Sequence, residues 1–84
     1  MKEALQRLDP ETLAFKILCY LTFKDAPLKP VQIAKALDEK GSSVRARLAE
    51  LKAGGLVDST SEGYVAKTTS YDVLMKIYRA QTET

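Results

Sequence analysis

The chain has 84 residues, the size of one small domain with a single core. One cysteine and no histidine exclude an internal disulfide and leave too few ligands for a zinc site. They also remove the commonest general base and the nucleophile pairs built on it. A net charge of +2, with 45 % hydrophobic and 29 % charged residues, is the composition of an ordinary folded protein and by itself points to no polyanionic partner.

A chain of this length buries only about 60–65 % of the surface its unfolded form exposes. With disulfide and metal set aside, a partner subunit is the expected source of extra stability. Gly54-Gly55 is the only glycine cluster and no GK[ST] follows it, so no phosphate-cradling loop is present. Neither an enzyme nor a cofactor is expected. The longest apolar run, Ile17 to Leu21, is far too short to span a bilayer, and the N-terminus shows no secretory h-region. A lone unpaired cysteine fits a reducing compartment, so the expected location is the cytoplasm.

The charge is unevenly spread. Residues 1–28 carry four basic and four acidic side chains. Residues 29–52 carry six basic (Lys29, Lys35, Lys40, Arg45, Arg47, Lys52) against three acidic, and residues 53–84 carry three against four. The positive excess therefore sits in one central segment, a weak electrostatic footprint.

In chain order, residues 1–8 place Ala4, Leu5 and Leu8 at helical spacing before Asp9-Pro10 interrupts them. Asp9, Pro10 and Glu11 read as a helix start: a capping acceptor, a first-turn proline and an acid near the positive end of the dipole. That helix should run to about Phe23. Its main apolar face is Leu13, Ile17, Tyr20 and Leu21, and a second stripe, Phe15, Cys19 and Phe23, lies on the other side. A helix touching only one core does not need that second stripe.

Leu28, between Pro27 and one further residue before Pro30, fits a short extended segment. Pro30 opens a helix from Val31 to Leu37 whose apolar residues are Val31, Ile33, Ala34 and Leu37. After the turn Asp38 to Gly41, Ser42 or Ser43 should cap a third helix to about Ala53, with Val44, Leu48 and Leu51 inward and Gly54-Gly55 stopping it. Leu56 to Thr60 and Tyr64 to Thr68 read as strands joined by Ser61-Glu62-Gly63. Ser70 should cap a last helix, Tyr71 to about Gln81, apolar over more than half its circumference, with a frayed tail at 82–84.

The order helix, short strand, two helices, hairpin, helix resembles the winged helix-turn-helix family of DNA-binding domains. The likeness runs from Leu28-Lys29-Pro30-Val31-Gln32-Ile33-Ala34 to Leu37, through Ser42-Ser43-Val44-Arg45-Ala46-Arg47-Leu48 to Leu51, and on to Gly54-Gly55-Leu56-Val57. It is closest to small archaeal and bacterial regulators of the MarR-like and ArsR-like kinds. The implied fold is mainly α with a small β-hairpin. The implied organisation is an N-terminal extension at 1–10, the winged domain at 11–68 and a C-terminal dimerisation helix at 69–84.

The resemblance implies double-stranded DNA as partner, read by the third helix in the major groove. Ser42, Ser43, Arg45, Ala46 and Arg47 would supply contacts there, while Lys29, Lys35 and Lys67 would approach phosphates. Many relatives carry a long polar residue where this chain has Ala46, which implies modest sequence preference. The wing tip offers Ser59, Thr60 and Ser61 but also the acid Glu62.

Phe15, Cys19, Phe23, Tyr71, Leu74 and Tyr78 are the expected homodimer interface, the aromatics being core or seam rather than a ligand pocket. Two functions fit this pattern. One is a homodimeric transcription regulator. The other is a winged helix used for protein–protein contact within a larger complex, favoured by the modest charge, the alanine-rich face and the acidic wing tip.

Overall fold

A computed structural model describes residues 3–82; Met1, Lys2, Glu83 and Thr84, which fall in the expected N-terminal extension and C-terminal tail, lie outside the described residues. Five helices and one two-stranded antiparallel sheet follow in the order α1 (Glu3–Arg7), α2 (Leu13–Lys24), α3 (Pro30–Leu37), α4 (Gly41–Ala53), β1 (Val57–Thr60), β2 (Gly63–Ala66) and α5 (Ser70–Thr82). The mainly helical class with a small hairpin is thus as the sequence predicts.

Helix α2 starts later than its Asp-Pro signal suggests. The Asp9 carboxylate accepts from the Glu11 N–H at 2.9 Å, and the Thr12 hydroxyl donates to the Asp9 carbonyl at 2.8 Å. Asp9-Pro10 is therefore spent on a turn of its own. Thr12 becomes the N-cap, its Oγ1 accepting from the Phe15 N–H.

Helix α2 is central, packing against α3, α4, α5 and β2. Ile17, Leu18 and Leu21 are fully enclosed there, together with Ile33, Val44, Leu48, Leu51, Val57 and Val73 from the surrounding elements. Leu5 of α1 is fully buried in the same cluster, and Lys76 Nζ donates to the Gln6 carbonyl at 2.6 Å, so the first turn of chain is fastened to α5. In α3 the inward side chains are Ile33, Ala34 and, half-buried, Leu37. Val31 points outward, 67 % exposed, because it stands two residues before Ile33 and so on nearly the opposite side of the helix.

Two helices end in the same six-residue lock. After α4, the Gly55 N–H reaches the Lys52 carbonyl and the Leu56 N–H reaches the Leu51 carbonyl, with Gly55 left-handed at φ 77°. After α3, Asp38 takes the left-handed place at φ 56°, and the Glu39 N–H reaches the Ala34 carbonyl at 2.9 Å. Both are Schellman closures, which satisfy carbonyls that the helix leaves unpaired. The α3 closure leaves only Asp38 to Lys40 between α3 and α4.

In the hairpin, Val57 pairs with Ala66 and Thr60 with Gly63, so Ser61 and Glu62 alone make the turn. Leu28 joins as a third, one-residue rung: its N–H donates to the Tyr64 carbonyl at 3.0 Å and its carbonyl accepts from the Tyr64 N–H at 2.7 Å. That crossing is why position 63 is glycine. A Cβ there would lie 2.6 Å from the Leu28 backbone, and φ is +141°. The strands are shorter than expected, β2 ending at Ala66.

A buried hydroxyl pair ties α2 to the chain leaving β2. Thr22 Oγ1 donates to the Leu18 carbonyl at 2.7 Å and lies 2.9 Å from Thr68 Oγ1. The single Thr22 proton is thereby used, so Thr68 is the donor in the pair. At the start of α5, Thr69 rather than Ser70 caps: Thr69 Oγ1 accepts from the Asp72 N–H and the Asp72 carboxylate accepts from the Thr69 N–H, both at 3.1 Å. This reciprocal box outcompetes a lone serine one residue later. Thr82, expected in the frayed tail, is the last residue of α5.

Candidate nucleic-acid interface

Helix α4 buries Val44, Leu48 and Leu51 and leaves its opposite side open to solvent. At about 100° per residue, Ser42, Ala46, Ala49 and Ala53 form a central strip on that side. Arg45 and Lys52 share one edge of the strip. Ser43, Arg47 and Glu50 share the other. The face is therefore shallow and smooth, with long polar side chains only along its margins.

The two margins differ electrostatically. Arg47 Nη2 donates to Glu50 Oε2 at 2.8 Å, an ion pair that leaves this edge without net charge. The Arg47 Nε is buried and has no hydrogen-bond partner, so the guanidinium is held close to the body of the domain. On the other edge the Arg45 guanidinium folds back over the first turn, its Nη1 3.2 Å from where a Cβ on Gly41 would stand. Lys52 Nζ donates to Ser59 Oγ on β1 at 2.9 Å, which carries the basic edge across to the hairpin.

Lys52 belongs to the candidate site and was passed over by the sequence reading. Its signal was present: it stands seven residues, two helical turns, after Arg45 and so on the same edge.

Neither serine caps α4. The N-cap is Lys40, in an extended conformation and without a side-chain cap bond. The Lys40 carbonyl accepts the first helical bond, from the Val44 N–H at 3.0 Å, so the helix starts at Gly41, ahead of both serines. Ser42 is exposed and Ser43 half-buried, both within the first turn. The backbone N–H groups of that turn have no intrahelical acceptor and mark the positive end of the helix dipole.

Lys29 and Lys35 are exposed, at the entry to α3 and along it. The Lys29 N–H donates to Gln32 Oε1 at 2.8 Å, which steadies that entry. Ala46 is exposed at the middle of the α4 strip, and Lys67 is exposed one residue beyond β2 rather than on it. At the hairpin tip the Thr60 hydroxyl donates to the Gly63 carbonyl at 2.7 Å and accepts from the Glu62 N–H. Its proton is committed to the turn.

The six expected interface residues separate. Phe15 is buried in the chain's own core and offers nothing to a partner, a correction to the sequence reading. Cys19 is half-buried, and burial pushes its thiol up to about 11 from an ordinary value of 9.0. Phe23, Tyr71, Leu74 and Tyr78 are 50, 69, 53 and 60 % exposed, high values for large apolar side chains.

Among the described residues no three Cys, Asp or Glu side chains group as a metal site would need, and no helix is long and apolar enough to cross a membrane. The chain matches no known protein family, and neither the curated proteins nor the solved structures contain a match to it.

Proposed function

We propose that this chain binds double-stranded DNA as a winged helix-turn-helix and serves as a cytoplasmic transcription regulator with modest sequence preference. Helix α4 would enter the major groove, α3 would cross the backbone behind it, and the β1–β2 hairpin would be the wing. The observation that carries this reading is the outward side of α4. A smooth strip of Ser42, Ala46, Ala49 and Ala53 is flanked by a basic edge, Arg45 and Lys52, that continues onto the hairpin through Ser59.

A strip without long side chains lets the helix sit deep in the groove, where Ala46 meets a thymine methyl. Arg45, near the helix N-terminus, takes a guanine edge or a phosphate. Ser42, Ser43 and the free N–H groups of the first turn suit a phosphate, and Lys29, Lys35, Lys52 and Lys67 add sequence-independent attraction. Arg47 contributes least, since Glu50 already neutralises it.

The second reading, a winged helix that docks on a protein, is favoured by one specific feature: Glu50 and Glu62 interrupt the positive surface. Fluorescence anisotropy with a labelled random-sequence duplex separates the two. On the DNA reading the wild type binds at low salt, and Arg45→Ala costs about 1–3 kcal/mol on sites where Arg45 reads a base. A uniform loss on every sequence would make Arg45 a phosphate contact. Absence of binding at low salt would leave the protein-docking reading standing.

A further inference from the structure

We propose that the cleft between the end of α2 and the start of α5 binds a small organic cation, a primary amine with an apolar body. The inference rests on that cleft alone and stands whether or not the chain binds DNA.

Two hollows share a wall there. The larger, of about 440 Å³, is lined by Thr22, Phe23, Asp25, Thr68, Thr69 and Ser70. The smaller, of about 100 Å³, shares Thr22, Asp25 and Thr68 and adds apolar lining at Leu21, Pro27 and Val65. A volume of this order suits a small organic ligand. Local sequence makes the cleft. Asp25 closes α2 in the left-handed conformation, φ 53°, with its N–H on the Leu21 carbonyl at 3.1 Å. Pro27 has no N–H and the Leu28 N–H is used on Tyr64, so the Phe23 and Lys24 carbonyls receive no further helical bond. They mark the negative end of the α2 dipole.

The buried hydroxyls of the cleft can accept but not donate. The Thr22 proton goes to the Leu18 carbonyl and the Thr68 proton to Thr22, which leaves Thr68 Oγ1 with lone pairs to offer. The Asp25 carboxylate, acceptor-only and exposed, has no hydrogen-bond or ion-pair partner among the described residues. The neighbouring cation does not fill the place: Lys24 Nζ stands over the Tyr20 ring, 5.7 Å from its centroid. No basic residue lines either hollow. The positive end of α5 gives an anion little, because the Asp72 carboxylate already accepts from the Thr69 N–H there. An ammonium brings three donors and a full charge, which is what a lone carboxylate beside acceptor hydroxyls lacks. Phe23, 50 % exposed, adds an aromatic surface for the cation or for the body of the amine.

Titration of phenethylamine into the isotope-labelled full chain, followed by the backbone amide shifts in NMR at constant ionic strength, tests the proposal. Saturable shifts are expected at residues 22–25 and 68–70. Hydrocinnamate, nearly the same size with the opposite charge, should not produce them. Asp25→Asn should weaken phenethylamine binding about fivefold, the upper range of an exposed ion pair. Asparagine accepts the left-handed conformation as aspartate does, so the end of α2 is kept. The comparison of the two compounds on the wild type needs no variant to fold. Three results would each overturn the proposal: no saturable shift at those residues, hydrocinnamate binding as well as phenethylamine, or an Asp25→Asn chain that binds phenethylamine like the wild type.

Discussion

Helices α4 and α5 are each thirteen residues long and each turns one side to the same core, yet their outward sides have opposite chemistry. On α4 the outward residues are small, and the long basic side chains, Arg45 and Lys52, stand at one margin. On α5 they are Tyr71, Leu74 and Tyr78, and the charges stand aside. A small-residue face flanked by cations stays stable in water and can still approach a polyanion closely. A face of large apolar groups is costly in water and gains by burial, at about 25 cal/mol per Å² removed. The two faces therefore differ in what each would gain by being covered.

The largest effects should come from placing a charge at the middle of each surface. Leu74→Glu is expected to abolish the α5-mediated homodimer that the resemblance implies, since it would bury a carboxylate in that contact. The affinity of each monomer for a short duplex should stay nearly unchanged. Ala46→Glu is expected to do the reverse, losing duplex binding by repulsion from the groove and leaving the mass in light scattering as it was. If either substitution moved both readouts equally, the two surfaces would not be independent.

A smaller, informative change is Glu50→Gln. Releasing Arg47 from its ion pair should strengthen duplex binding by about 0.5–1 kcal/mol, the range of an exposed pair. An unchanged affinity would place that margin of α4 off the DNA. Thermal unfolding of the same variant should move little, because both partners are substantially exposed.

The smallest effect belongs to Cys19, half-buried on α2. Burial raises its thiol to about 11, so the thiolate is scarce near neutrality and alkylation by iodoacetamide should be slow there. The raised value favours the neutral form in the folded chain. Its contribution to stability is therefore whole below the ordinary value of 9.0 and is lost as pH rises through about 11. Urea unfolding of wild type and Cys19→Ser at pH 8 and pH 10.5 should show the difference shifting in that direction.

Much of this architecture was legible in the sequence because its signals are local and redundant. Gly54-Gly55 closes α4 as glycine past a helix end commonly does, and Leu28, close to Pro27 and Pro30, is the extended rung against Tyr64. Helix starts were less legible, because neighbouring capping residues compete and tertiary alignment decides between them. Asp9 yielded to Thr12, Ser70 to Thr69, and Ser42 and Ser43 to Lys40.

Periodicity also failed to say which stripe of α2 stays open. Elements pack on several sides of that helix, so Phe15 is enclosed, Cys19 is half-covered and only Phe23 emerges at the end. At the candidate site, the Arg47–Glu50 pair was not foreseen because spacing alone does not tell an ion pair from two solvated charges. The link from Lys52 to Ser59 was hidden because it joins residues on different elements.

The most direct test of the central claim is the salt dependence of binding to random-sequence duplex DNA, titrated from about 50 to about 200 mM. If α4 and the flanking lysines engage phosphates, log affinity should fall linearly and steeply with log salt, with a slope equivalent to several neutralised phosphates. A flat dependence, or no complex at the lowest salt, would contradict DNA binding and give the α4 face to a protein partner.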